Sequence, residues 1–211
     1  MRQGEIMVKE GEIGYRLKQE VESFNRHYFS VIDNLDKLSA CGGTYTLARL
    51  LDCDFRISYL FQQLDGITRR EYSQVVNSIR DRLNEIKKIM GEKEFYAQVY
   101  RELKEDSQAY INWVDEYLFN EIYEEYIDSL NYRDVVHILQ KYLENKMDIS
   151  ELANKVAEKD EILKKNAKKL VENEEFPTLE HRQKIMKYLP DDFWWWHLEK
   201  FIKEEGAGDL G

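Results

Sequence analysis

Glu121, Glu124, Glu125 and Asp128 recur at i, i+3, i+4 and i+7, a spacing that gathers four carboxylates on one side of a helix. Such a set could hold a metal ion or meet a basic partner surface. A di-metal helical bundle also draws on Glu-x-x-His pairs from facing helices. The chain has no Glu-x-x-His, and Asp134-x-x-His137 is a poor substitute. The expectation is therefore no metal ligand and no cofactor, with the four acids facing solvent or a protein partner.

Phe193-Trp194-Trp195-Trp196 is the second group. On an α-helix successive residues stand 100° apart, so four in a row wrap most of the way round and cannot all face one core. A large rigid ring at the surface fills a partner's pocket well. Trp194, Trp195 and Trp196 are accordingly expected to bind a partner, beside the alternative that the segment is wedged inside its own bundle. Base stacking fits poorly, because Asp191, Asp192, Glu199, Glu204 and Glu205 repel phosphate.

Residues 148–171 (DISELANKVAEKDEILKKNAKKLV) resemble a helix-turn-helix in their Glu-Leu-Ala opening, a small residue at Ala157 and later apolar positions. In that resemblance Lys164, Lys165, Lys168 and Lys169 would grip nucleic-acid phosphates. The turn lacks its usual glycine, and the same residues read equally as one unbroken helix. Five acids also nearly balance the segment's lysines. His27, His137, His181 and His197 stand in no recognisable catalytic motif, and neither a phosphate-binding glycine loop nor a nucleophile elbow occurs. Cys41 and Cys53 have no metal-ligand spacing and are expected to stay reduced, although a disulfide between neighbouring helices fits the spacing too.

Helices must position all of these. The chain has only 10 Gly and 2 Pro in 211 residues, too few for the turns of a sandwich or barrel. Leu17, Val21, Phe24, Tyr28, Val31, Leu35 and Leu38 follow alternating gaps of four and three, a heptad seam. A second helix over about 44–64 buries Leu47, Leu50, Leu51, Ile57, Leu60, Phe61 and Leu64, and Asp65-Gly66 closes it. The third opens on a capping box of Thr68 and Glu71, with Ile67 and Tyr72 as its staple, and Gly91 ends it. From Glu92 to Leu130 no Gly or Pro interrupts a pattern of three- and four-residue gaps. This stretch carries eleven acidic and three basic residues, and so most of the chain's net charge of −10. Asn131 with Asp134, Asp148 with Glu151, Pro177-Thr178 and Pro190-Asp191 are read as four further helix starts. Tyrosines along the middle helices, among them Tyr96, Tyr110 and Tyr142, suit half-buried positions or a groove.

The expected fold is all-α, a bundle of about eight helices. Residues 1–14 form a flexible arm, 15–145 a long antiparallel bundle, 146–205 a smaller C-terminal helical module and 206–211 a disordered tail. An apolar leader and a membrane-spanning run are both missing, which suggests a cytoplasmic protein. A pI near 5.1 argues against a surface built for nucleic acid. The function expected is a non-enzymatic adaptor, assembly factor or regulatory subunit that binds a protein partner or itself. A DNA-binding regulator using 148–171 is the alternative, and a bundle that binds a metal or small ligand is the third.

Overall fold

The computed structural model describes residues 2–35, 38, 46–120, 126–173 and 176–202, with backbone alone for 2–10, 117–120 and 126–129. The described residues form eight α-helices and two 3-10 turns, without a strand among them. The all-α class read from the sequence is the class observed.

The helices are α1 (Arg2–Ile32), α2 (Leu47–Gln63), α3 (Gly66–Met90), α4 (Glu92–Asn120), α5 (Tyr126–Leu143), α6 (Ser150–Lys165), α7 (Ala167–Val171) and α8 (Leu179–Met186). The 3-10 turns are Trp194–Trp196 and Leu198–Phe201. The chain divides into two compact units, and the division interleaves. Residues 1–105 and 135–149 make the first, and 106–134 and 150–211 the second. Helices α4 and α5 contribute to both units.

In the first unit the heptad seam of α1 is internal: Leu17, Phe24, Tyr28 and Val31 are buried. The helix starts at Arg2, upstream of the expected start, and stops at Ile32, so buried Leu38 lies beyond its end. Three hydrogen bonds join α1 to α3: Tyr72 to Gly14, Arg82 to Asn25 and Tyr28 to Glu85. Their sequence separations are 58, 57 and 57. A constant separation means that the two helices run parallel and in step. Helix α2, joined to α3 by a single turn, buries Leu47, Leu50, Leu51, Ile57 and Leu60.

The start of α3 differs from the capping box expected. Asp65 is the N-cap, and its Oδ1 accepts from Ile67 N and Thr68 N at 2.7 Å each. Ile67 is 74% exposed and makes no staple. An aspartate one residue before a glycine outcompetes Thr68 because its carboxylate reaches two free N–H groups at once. Gly91 ends α3 at φ 81°, a left-handed position that suits glycine.

In the second unit Tyr110, Val114, Leu130, Val156, Leu163, Ala167 and Leu170 are buried. Thr178 caps α8 as expected, accepting from His181 N at 3.2 Å. Asn131 and Asp134 do not open a helix, since both lie inside α5. Pro190-Asp191 likewise leads into 3-10 turns and not into an α-helix. Residues 121–125 and 203–211, with the expected tail, lie outside the described residues.

Candidate functional site

The tryptophan run is built inward. A 3-10 turn sets residues about 120° apart, so the α-helical spacing assumed from the sequence does not apply. Phe193, Trp195 and Trp196 are buried, and Trp194 alone of the run is half-buried. The indole N–H groups of Trp195 and Trp196 both donate to Asp134 Oδ1, at 2.7 and 2.8 Å. Trp194 stands edge-on to Phe201, centroids 5.3 Å apart, and Lys164 Nζ lies 4.5 Å above its ring. Of the three tryptophans assigned to a partner, only Trp194 keeps exposed area. The other two anchor the segment to α5.

A buried ionic network surrounds this anchor. Arg133 Nε and Nη2 donate to the two oxygens of Asp160 at 2.9 and 2.7 Å, and Tyr110 Oη donates to Asp160 Oδ1 at 2.7 Å. The Arg133 guanidinium lies 4.3 Å from the Trp195 ring centroid. Arg182, 1% exposed, donates to the carbonyls of Pro177 and Trp196 and to Glu199 Oε2. Burial pushes the Glu199 carboxyl up, but the Arg182 hydrogen bond and charge outweigh it and hold it below its usual range. The sequence reading missed Arg133, Asp160 and Arg182. A signal existed for Asp160, which falls on the apolar line Val156, Leu163, Ala167 of its own segment. A carboxylate on a buried line needs an internal partner.

The remaining expected residues are dispersed. Glu121, Glu124 and Glu125 lie outside the described residues, as does the Asp128 side chain. Helix α6 runs without a break from Ser150 to Lys165, through Ala157, so the turn that a helix-turn-helix needs there does not exist. The break falls at Asn166, between α6 and α7. Lys164 is held by Glu161 at 2.7 Å and by the Trp194 ring, while Lys165, Lys168 and Lys169 are exposed. His27 and His197 are half-buried, and burial, then neighbouring positive charge, lowers both. Among the described residues no three His, Cys, Asp or Glu side chains converge to hold a metal. No described helix is long and apolar enough to cross a membrane.

The first unit has a different kind of feature. Seven large apolar side chains are exposed among the described residues, and five belong to α1 and α3: Tyr15, Phe29, Ile67, Val75 and Ile89. Two shallow clefts, about 420 and 250 Å³, lie along the same two helices. The first is lined by Tyr15, Asp65, Glu71 and Tyr72, the second by Val21, Asn25, Val75 and Arg82. Charges near them are of both signs. This face carries no nucleophile–base pair.

Two carboxylates of the unit are turned inward, Glu102 buried and Asp54 half-buried. Glu102 of α4 reaches the N-terminus of α2, accepting from Leu47 N at 3.1 Å, Ala48 N at 2.6 Å and Gln98 Nε2 at 2.8 Å. Burial raises its pKa above the ordinary carboxylate value despite those donors. Asp54 is also raised by burial, and its Oδ1 accepts no hydrogen bond. The Cys53 thiol is pushed up to about 12 by burial, so it is not a reactive thiolate. Cys41 lies outside the described residues. Tyr142 is pushed up to about 12 by burial and by Tyr96, whose ring centroid is 6.2 Å away.

No family model, curated protein or solved structure matches the chain.

Proposed function

We propose that this chain is a non-enzymatic helical interaction protein, and that it binds a protein partner through the exposed face of α1 and α3. One observation carries the reading. Five of the seven large apolar side chains exposed among the described residues fall on two parallel, adjacent helices, α1 and α3. The half-exposed Trp194 adds a smaller patch on the second unit. The partner surface thus moves from the tryptophan run, which is mostly internal, to the first unit.

The test is site-specific photocrosslinking in the cells that make the protein. A photoreactive phenylalanine at Val75 should give a discrete crosslinked protein. The same group at exposed Lys104 of α4 should not. Equal yields at both positions, or no adduct at Val75, would refute the reading.

A further inference from the structure

We propose that the partner on this face is a protein helix that seats a carboxylate side chain on Arg82 and lays apolar side chains along the groove to either side. The inference rests on the interaction reading above and names the partner's chemistry.

Arginines that are wholly or partly inside this fold come with carboxylates. Arg16 holds Glu20, Arg56 holds Asp52, Arg133 holds Asp160 and Arg182 holds Glu199, at 2.6 to 2.7 Å. Arg82 is the other buried or half-buried arginine among the described residues, and no described acid pairs with it. Neither Glu22 of α1 nor Glu85 of α3 fills that role. Glu85, one turn beyond Arg82, accepts instead from the Tyr28 hydroxyl at 2.7 Å. A half-buried guanidinium gives up hydration, and here it gains no countercharge within the chain.

The group is held in place and mostly unspent. Arg82 Nη1 donates to Asn25 Oδ1, and the guanidinium lies 5.0 and 5.8 Å from the ring centroids of Tyr28 and Phe29. Little side-chain freedom remains for it to lose on docking. No other N–H of Arg82 has a hydrogen-bond partner among the described residues. A fixed fork of free donors matches a carboxylate, which accepts on both oxygens.

The surroundings say what carries that carboxylate. Arg82 lines the cleft of about 250 Å³ together with aliphatic Val21, Val75 and Ile79. A free inorganic anion gains nothing from such walls, and a nucleic-acid strand would meet the repulsion of Glu22 and Glu85. The cleft runs between two parallel helices whose backbone groups are spent internally. It offers no sheet edge to extend, and a third helix is the shape such a groove takes. Val75, Arg82 and Ile89 recur every seven residues, with Val75 and Ile89 exposed. They stand roughly 10 Å apart along α3. The complementary helix therefore carries apolar residues about two turns to either side of its acid.

Crosslinking from Val75 in the cells that make the full chain, with the attachment point mapped by mass spectrometry, tests the proposal. The adduct should come from a helical segment of another protein, with an Asp or Glu about seven residues from the attachment point. Arg82→Met should cut the yield about tenfold or more. Arg82→Glu should do the same, and changing the mapped acid to Arg should restore the yield in that variant. Such a rescue separates docking from a merely structural role, since no change in the partner repairs the lost bond to Asn25. Circular dichroism checks that each variant is folded. A Val75 adduct that Arg82→Met leaves unchanged would overturn the carboxylate docking and leave the interaction reading standing. So would an attachment point with no acid within about two turns. An adduct with a lipid, a nucleic acid or a second copy would overturn it as well. No adduct at all would remove both.

Discussion

Arg133 and Asp160 meet fork to fork inside the second unit, with Nε–Oδ1 at 2.9 Å and Nη2–Oδ2 at 2.7 Å. Their side chains keep only 6% and 11% of their exposure. The pair joins α5 to α6, and Tyr110 of α4 adds a third donor. Removing one partner strands a buried charge. Asp160→Ala is therefore expected to lower the unfolding free energy by about 3 kcal/mol or more. Arg133 Nη1 lacks a hydrogen bond, so the pair is imperfectly satisfied. The double variant Arg133→Met/Asp160→Leu should then cost less than Asp160→Ala alone. Urea unfolding of the three proteins decides it.

The tryptophans should separate sharply. Trp195→Ala and Trp196→Ala each empty a fully buried site and are expected to cost about 3–5 kcal/mol. Trp194→Ala, at the half-exposed position, should cost much less. Asp134→Ala leaves two buried indole N–H groups without their acceptor, and should cost about 2 kcal/mol or more. Thermal unfolding, with near-ultraviolet circular dichroism of the folded state, measures all four. Equal losses at the three tryptophans would contradict the inward anchoring.

Glu102 predicts a pH signature. Its carboxyl is raised above 4.5 by burial. A raised acid favours the folded state most when protonated. Its contribution is full below the unfolded value and falls as pH rises through the folded value. Glu102→Gln removes that slope, so its stability relative to wild type should improve as pH rises across this window. Denaturant midpoints from acid to neutral pH read the difference. Glu102→Ala should also speed hydrogen exchange at Leu47 and Ala48, whose N–H groups it leaves uncapped.

Cys53 should be silent to thiol reagents in the folded protein. It is 4% exposed and its pKa is pushed up to about 12. In a Cys41→Ser variant, a disulfide reagent at mildly alkaline pH is expected to label nothing until denaturant is added. Stoichiometric labelling of the native variant would show that α2 opens readily.

The helical class and much of the core were legible in the sequence. The α1 seam and the apolar positions of α2 are spaced by three and four, and helix geometry turns that spacing directly into a face. Gly91 and Thr178 were legible as a stop and a start because each acts on backbone within a few residues of itself. The start of α3 was misread because Asp65 and Thr68 both fit a cap. Only the placement of their oxygens against the free N–H groups distinguishes them. The tryptophan run was misread for a related reason. Its reading assumed an α-helix, and a 3-10 turn redirects every ring.

What the sequence determined by itself is local: all-α structure, few turns, a strongly acidic middle, and where most helices carry their apolar side. These follow from periodicity and propensity, which act over one or two turns. The tertiary structure alone decided which charges are internal and which apolar groups stay outside. Asp160 and Arg133 lie 27 residues apart, Trp195 and Asp134 61, and Glu102 caps a helix 55 residues upstream. The exposed line on α1 and α3 likewise exists only because those helices run side by side and in step. Burial and ion pairing depend on which distant residues arrive at the same point, and local spacing carries no record of that arrival.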